Sequence, residues 1–360
     1  MAHVGDHFIL GLRPSPTLAE EDRALLSELR PAGVIVYKSN FRHDLEYEGW
    51  LDVFGKLLWD VRAAIGRDEI FVGIDHEGGR VCRTPKPITR FAYARHWANE
   101  AGAVGRAMGT ELASIGVNLS FAPVLDIDSN PKNPVIGERA FASDPESVTR
   151  AALAFAEGLA SAGVLACGKH FPGHGDTAQD SHYALPVVDR DLAGLRAREL
   201  VPFAAAARAK MPMIMTAHVM FPPVDREVPA TLSRRFVHGI LREELGYEGV
   251  VVSDDIGMNA VSKIFDDPTA AVRLLESGTD LLMVCSHFTS TDRARGFAKA
   301  ISDALASGRL SANENAASRT RVEALLARTR QHGITRLEDV VLATHRLTGK
   351  QFEAATVEVV

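Results

Sequence analysis

The side chains that could do chemistry are concentrated in one stretch of fourteen residues, 169–182, with the sequence KHFPGHGDTAQDSH. It contains three histidines, two aspartates and one lysine, and such side chains transfer protons, carry charge and bind metal ions. Pro172, Gly173 and Gly175 disfavour a continuous helix and predict a loop. Isolated loop residues of these types usually form caps or turns, but their density here predicts a loop with a function.

Two chemistries are compatible with this composition. In the first, the loop binds a metal ion in a metal-dependent hydrolase, because histidine and carboxylate suit Zn²⁺; the candidate ligands are His170, His174, Asp176, Asp180 and His182. Their spacing matches no known ligand pattern. In the second, a carboxylate nucleophile and a proton donor cleave a glycosidic bond. Asp254 is then the nucleophile, and Asp180 orients His182 as the acid and base.

The elements that must position these residues follow a repeating pattern. An apolar run at 163–168 immediately before the loop predicts a strand buried on both faces. Seven similar runs occur at 8–12, 33–37, 70–74, 117–123, 213–217, 249–253 and 280–284. Helical stretches between them are predicted at 17–30, 46–66, 100–115, 145–162, 191–210, 233–245 and 269–278. Thr17 and Glu20 form a capping-box pattern, and Ser233 is a candidate N-cap.

Eight strands that alternate with helices predict an α/β protein with a single (β/α)₈ TIM-type barrel. We assign residues 1–330 to this domain, with 292–330 helical, and leave 331–360 as a C-terminal tail of unknown role. Active sites of such barrels lie where the strands end at the carboxyl face. Five predicted strands end in ionisable residues: Asp75, Asp126, Lys169 with His170, His218 and Asp254. Any one of them could cap a helix, but five together predict one site.

Composition narrows the class of protein. The chain has 360 residues, a hydrophobic fraction of 46% and a formal net charge of −6, which argues against nucleic acid or an anionic membrane as a partner. No signal peptide or membrane span is expected from the sequence. The three cysteines, Cys82, Cys167 and Cys285, are widely spaced and odd in number, which favours a reducing, cytoplasmic compartment.

Several motifs together resemble one family, the glycoside hydrolase family 3 β-N-acetylglucosaminidases of the cytoplasmic peptidoglycan-recycling type. The resemblance extends from Gly11 to about Leu326. The motifs that match the family are IDHEGGRV at 74–81, FAPVLD at 121–126, NPVIGER at 133–139, the whole loop at 169–182 and SDD at 253–255. The loop is the most specific of these motifs.

The resemblance implies roles for individual residues. Asp254 matches the family nucleophile, His182 matches its acid/base histidine, and Asp180 matches the partner of that histidine. The residues that match those holding the N-acetylglucosamine ring are Asp75, Arg83, Arg139, Lys169 and His170. The implied activity is that of a retaining exo-β-N-acetylglucosaminidase, a β-N-acetylhexosaminidase that removes terminal N-acetylglucosamine from muropeptides through a covalent glycosyl-enzyme. It needs no metal and no organic cofactor, and its partner is a small-molecule carbohydrate.

The chain departs from the family pattern at His76 and Cys82, where glutamine is usual, and after Ile334, where nothing matches. His174 and His218 are expected to support the site rather than catalyse. Three alternatives to the hydrolase stay open besides the metal-dependent enzyme. The first is a phosphorylase, since a histidine acid/base lets anionic phosphate approach, and the second is a sugar-binding protein without catalysis. The third is a β-glucosidase, which usually takes a glutamate acid/base from a second domain that we do not expect from this sequence.

Overall fold

A computed structural model describes residues 4–178, 185–285 and 292–349. Its eight parallel strands close into a barrel in chain order, so the last strand pairs with the first. The strands are β1 Phe8–Gly11, β2 Gly33–Val36, β3 Phe71–Ile74, β4 Leu119–Ser120, β5 Leu165–Phe171, β6 Met213–Thr216, β7 Val250–Asp255 and β8 Leu281–Cys285. The predicted (β/α)₈ barrel is confirmed.

Helices surround the strands. They are α1 Glu20–Leu29, α2 Tyr47–Ile65, α3 Ala101–Ser114, α4 Pro145–Ser161, α5 Leu192–Ala197, α6 Leu200–Arg208, α7 Asn259–Ser262, α8 Thr269–Glu276, α9 Asp292–Ala306, α10 Ala312–Ala327 and α11 Asp339–Thr348. A π-helix covers Arg235–Glu244, and short 3₁₀ turns cover Val4–His7, Lys38–Asn40, Ala94–Glu100, Gly137–Arg139 and Ala230–Leu232. Each helix in the described part of the chain is too short or too polar to span a lipid bilayer.

Two local predictions need correction, and a third is confirmed. The Thr17 capping box is wrong, because α1 begins after Ala19 without a side-chain cap. The single helix predicted at 191–210 is broken into α5 and α6, since Arg198 leaves the helical conformation with φ −138° and ψ −74°. Ser233 does cap its helix, as its hydroxyl accepts a hydrogen bond from the Phe236 N–H at 3.3 Å.

Alternate residues of each strand face two different cores. Ile9 and Ile35 belong to the cluster that fills the barrel, whereas Phe8 and Leu10 pack against the surrounding helices. Because both sides of a strand are buried, its sequence is apolar without a break, which is typical of parallel sheets. The barrel is therefore a packed support for the residues at its carboxyl end.

The described part of the C-terminal tail packs against the outside of the barrel. Ile334 forms an isolated bridge with Ile115, and the Leu337 N–H donates to the Tyr47 hydroxyl at 3.2 Å. In α11, Leu342 is fully buried, and His345 Nδ1 lies 2.9 Å from Oε1 of Glu111 in α3. This segment thus covers α2 and α3.

Candidate active site

The ionisable residues predicted at strand ends do lie at the carboxyl end of the barrel. Asp75 follows β3, and His218 follows β6 by two residues. Lys169 and His170 belong to β5, and Asp254 belongs to β7, although the sequence placed all three just beyond their strands. Both strands shift register near these residues. Because β5 and β7 extend beyond their predicted ends, the side chains of Lys169, His170 and Asp254 project from the wall of the barrel itself.

A loop that folds back on itself after β3 carries part of the site. The Glu77 N–H donates to the Val81 carbonyl at 2.9 Å, and the Val81 N–H donates to the Gly78 carbonyl at 3.0 Å. Gly79 has φ +57°, and a Cβ there would lie 2.1 Å from the Tyr93 ring. Only glycine fits that position without rearrangement. The loop is therefore held in one shape between Asp75 and Arg83.

Glu77 is the centre of a buried ionic cluster. Its carboxylate accepts two hydrogen bonds from Arg139, at 2.8 and 2.9 Å, and Oε1 lies 2.6 Å from Lys169 Nζ. Lys169 also donates to Asp75 Oδ1 at 2.8 Å. Burial would raise the pKa of Glu77, but Arg139 and Lys169 outweigh it and hold that pKa far below its usual value. Glu77, Arg139 and Lys169 are thus all charged at neutral pH.

A second network joins β5 to the segment after β4. His170 Nδ1 lies 2.6 Å from Asp126 Oδ2, and the His174 N–H donates to Asp126 Oδ1 at 2.7 Å. Burial would raise the pKa of Asp126, yet His170 outweighs it and the pKa is lowered. Burial lowers the pKa of His174 to about 4. Asp126 therefore fixes the ring of His170, and His174 stays neutral at pH 7.

Asp254 lies at the end of β7. Burial would raise its pKa, but His218 and His170, with a smaller effect from Lys169, lower it. The neighbouring Asp255 behaves differently, because burial and the charge of Asp254 raise its pKa to about 6. Asp255 Oδ1 accepts hydrogen bonds from the N–H groups of Gly257 at 2.9 Å and Cys285 at 3.2 Å. Of the two adjacent carboxyl groups, Asp254 therefore has the lower pKa.

His218 and Tyr37 complete the described part of the site. His218 Nε2 donates to the Asp255 carbonyl at 3.0 Å, and burial lowers the pKa of His218. Tyr37, which follows β2, has its hydroxyl 2.6 Å from Cys285 Sγ. Burial and nearby acidic groups raise the pKa of Tyr37 well above its usual value, so it stays protonated. Neither Tyr37 nor Glu77 was named as a site residue from the sequence.

Some predicted site residues lie apart from this cluster or outside the described residues. Arg83 is half-buried, and its Nε has no hydrogen-bond partner among the described residues. Asp176 binds Arg190 at 2.8 Å and Arg198 at 3.1 Å, so this carboxylate is held in an ion-pair network. Asp180 and His182 lie outside the described residues.

The described residues do not assemble the candidate metal ligands. His170 is bound to Asp126, His174 Nδ1 lies 3.0 Å from the Thr177 hydroxyl, and Asp176 is bound to arginines. Within residues 4–178, 185–285 and 292–349, no group of three or more histidine, cysteine or acidic residues is arranged to hold a metal ion. The metal-ligand set remains a prediction, because two of its members are not described.

Comparison with known proteins agrees with this architecture. Residues 9–325 match the model of the glycosyl hydrolase family 3 N terminal domain. The chain is 40% identical over 279 residues to a β-hexosaminidase of Methylococcus capsulatus, covering 75% of this chain and 80% of that protein. The names of both matches thus describe glycoside hydrolases.

Two solved structures are similar in fold as well as in sequence. A glycoside hydrolase family 3 β-N-acetylglucosaminidase from Paenibacillus sp. superposes with a TM-score of 0.84 and 34% identity, over 96% of this chain and 67% of that one. NagZ from Neisseria gonorrhoeae, in complex with N-trifluoroacetyl-D-glucosamine, has a TM-score of 0.70 and 32% identity, over 91% of this chain and all of that one, 100%.

Proposed function

The chain belongs to glycosyl hydrolase family 3, and from that membership we propose that it is a retaining exo-β-N-acetylglucosaminidase. The observation that carries this proposal is the position of Asp254. Its carboxylate lies at the carboxyl end of β7, with its pKa lowered by His218, His170 and Lys169 against the effect of burial. A carboxylate that is ionised yet half-buried can attack a sugar carbon.

Each step of the reaction has an assigned group. The Asp254 carboxylate attacks the anomeric carbon, the glycosidic bond breaks, and His182 donates a proton to the departing oxygen. Water then attacks the same carbon while His182 accepts its proton, and the bond to Asp254 breaks. Two inversions at one carbon retain the β configuration. Asp180 orients the ring of His182 and stabilises its protonated form.

The ionic cluster would hold the sugar ring through hydroxyl groups. Lys169 Nζ has three N–H groups, and its contacts with Asp75 and Glu77 leave one for a ligand. His170 uses Nδ1 on Asp126, which leaves Nε2. Asp75 keeps a partly exposed carboxylate, and Arg83 and Arg139 supply further charged donors. Because the cluster is rigid and already paired, a sugar would meet preoriented groups.

The substrate class that we propose is muropeptides released from peptidoglycan, with cleavage in the cytoplasm. The motifs at 74–81, 169–182 and 253–255 support this choice through their resemblance to enzymes of peptidoglycan recycling. The similarity to NagZ, solved with an N-acetylglucosamine analogue, supports the sugar. Terminal β-linked N-acetylglucosamine is therefore the unit that we expect the protein to release.

A product assay on 4-nitrophenyl β-N-acetylglucosaminide tests the proposal. We expect free N-acetylglucosamine of retained configuration, at a rate unchanged by phosphate and by EDTA, and no release from the corresponding α-anomer. N-acetylglucosamine 1-phosphate as the product would instead identify a phosphorylase. Loss of activity in EDTA with recovery in Zn²⁺ would favour the metal-dependent hydrolase. Binding without turnover would leave only a sugar-binding protein.

A further inference from the structure

His76 and Cys82, the two positions where the chain departs from the family motif, contact each other. They lie on opposite sides of the folded loop after β3, and His76 Nε2 is 3.8 Å from Cys82 Sγ. Asp75 and Arg83 are the next residues outward on each side. The pair therefore bridges the loop just inside two residues that we propose to bind sugar.

The surroundings of the pair favour a thiolate beside an imidazolium. His76 is 1% exposed and Cys82 9%, and His76 Nδ1 has no hydrogen-bond partner among the described residues. Burial opposes both charges, yet His76 lowers the pKa of Cys82 to about 7. The Cys82 charge in turn raises the pKa of His76 against the effect of burial. Thr84, whose hydroxyl lies 3.8 Å from Sγ, also lowers the pKa of Cys82.

Cys82 also lines a cavity of about 720 Å³ on the β2 and β3 side of the barrel. Basic side chains outnumber acidic ones in its wall, which includes Lys38, Lys86, Arg90 and Arg336 against Glu46 and Asp339. This volume lies within the range of about 300–1,000 Å³ that is usual for small-molecule pockets. Its excess positive charge favours anionic molecules near the thiol.

We propose that Cys82 and His76 form a reactive thiolate–imidazolium pair, and that Cys82 is a modification site for anionic low-molecular-weight disulfides that enter this cavity. A thiolate is the nucleophile in thiol–disulfide exchange, and a neighbouring histidine is one of the groups that stabilise it. Arg90 in the cavity wall also lowers the pKa of Cys82, and Glu111 of α3 also raises the pKa of His76.

The exchange is balanced without another reagent. Cys82 Sγ attacks one sulfur of the disulfide, a new S–S bond forms to the protein, and the original S–S bond breaks. The second half leaves as a thiolate and takes a proton from solvent. The protein thiol is oxidised, and the departing half is reduced. A free thiol reverses the reaction.

Modification would change sugar binding, a consequence that rests on the proposed function. A group bound to Cys82 removes the thiolate that pairs with His76, so the contact that joins the two sides of the loop is weakened. Asp75 and Arg83 would move, and Asp75 is hydrogen-bonded to Lys169 at 2.8 Å. We therefore expect a raised KM for the N-acetylglucosaminide, with a smaller change in kcat.

Alkylation by iodoacetamide, followed by peptide mass spectrometry, tests the thiol independently of any activity. Cys167 and Cys285 serve as internal controls, because burial raises the pKa of each. We expect Cys82 to react at least tenfold faster than either at pH 7, with a half-maximal rate near pH 7. Equal rates at the three cysteines would overturn the proposal, and this comparison needs no variant.

Two variants separate the effect of His76 from that of the cavity. His76→Gln should slow alkylation of Cys82 at pH 7 by about tenfold, since an unassisted thiol titrates near 8.5. His43→Gln, a change at another histidine of the same cavity, should leave the rate unchanged. An unaltered pH midpoint in His76→Gln would contradict the assignment.

The disulfide arm uses oxidised glutathione, which is anionic, and cystamine, which is cationic. We expect oxidised glutathione to modify Cys82 faster, with dithiothreitol restoring both the mass and the original KM. Cys82→Ser should abolish the response of KM to either reagent. Modification of Cys82 without a change in KM would reject the coupling to the sugar site. Faster reaction of cystamine would reject the role of the cavity charge.

Discussion

The carboxylate of Glu77 lies 2.6 Å from the ammonium group of Lys169, and both side chains are less than 5% exposed, at 4% and 3%. Arg139 and Asp75 complete the group, so two negative and two positive charges neutralise one another at the end of the barrel. Such a cluster is stable only while all its members are present, because each one compensates for the burial of another.

Glu77→Gln should weaken both folding stability and sugar binding. The substitution leaves Lys169 and Arg139 with one carboxylate fewer inside the cluster, and an uncompensated buried charge costs about 3–5 kcal/mol. We expect a lower midpoint of thermal unfolding and a raised KM, measured on the purified variant.

The matched control is Glu138→Gln, since Glu138 is a neighbour of Arg139 but forms an exposed pair with His96 at 2.9 Å. Exposed ion pairs contribute about 0–1 kcal/mol, so this variant should behave like the wild type. Equal effects of the two substitutions would show that the buried cluster has no special role.

Asp254→Asn should abolish turnover while the fold stays intact, because asparagine keeps the shape and removes the proposed nucleophile. A slow 2-fluoro substrate should label a peptide that contains residues 250–258 in the wild type. Asp255→Asn is the companion variant and should still be labelled. Labelling of another peptide, or full activity of Asp254→Asn, would contradict the assignment of the nucleophile.

His182→Ala should impair a substrate with a poor leaving group far more than one with an activated aryl group. Only the poor leaving group needs a proton on its departing oxygen. With the activated substrate, breakdown of the glycosyl-enzyme becomes slow because the base is missing. Added azide should rescue turnover and yield a β-glycosyl azide, since two inversions retain configuration.

Asp180→Asn should give a weaker form of the same pattern, because His182 remains but loses its orienting charge. Equal losses on both substrates, with no azide product from His182→Ala, would make His182 a binding residue. The acid/base group would then have to be sought elsewhere in the chain.

The pH dependence of stability should contain two opposite contributions. An unfolded histidine titrates near 6.5, and burial holds the pKa of His174 at about 4, so its contribution is lost as pH falls from 6.5 to 4. Burial raises the pKa of Asp255 to about 6, against about 3.9 when unfolded, so its contribution is lost as pH rises from 4 to 6. Each amounts to about 3 kcal/mol.

Thermal unfolding between pH 4 and 7 separates the two contributions. Relative to the wild type, His174→Asn should favour low pH, because the Asp255 effect is then unopposed. Asp255→Asn should favour high pH, and the double variant should return close to the wild-type profile. Titrations shared by all four proteins do not affect these differences. A double variant that differs from the wild type by more than either single variant would contradict the cancellation.

Most of the fold could be predicted because the strands are buried on both faces and are therefore unbroken apolar runs. The ends of β5 and β7 could not, since Lys169, His170 and Asp254 are ionisable residues typical of loops. They remain in strands because other ionisable groups of the site lie close to them. The break at Arg198 was missed for a similar reason: local propensity favours a helix there, but this side chain binds Asp176 at 3.1 Å.

The sequence predicts individual residues of the candidate site, but it does not predict which of them contact each other. The position of Asp75 or Asp254 after an apolar run is a local signal. The role of Glu77 is not, because its partner Arg139 lies 62 positions away and Lys169 is farther still. Asp176 is the opposite case, since a loop aspartate near histidines is a candidate metal ligand by its position in the sequence, whereas in the structure it contacts two arginines. Contacts between distant residues, which a single sequence does not record, decide both cases.

Closure of the barrel between β1 and β8 has a consequence for how the chain must be made. Phe8 pairs with Leu282, and His7 bonds to the carbonyl of Asp280, 273 positions away. During synthesis, β1 and β7 therefore remain open sheet edges until β8 emerges from the ribosome. Open edges pair readily with other chains, and late long-range closure leaves partly folded species exposed to aggregation. A nascent chain that stalls after β7 but before residue 281 carries both edges unprotected.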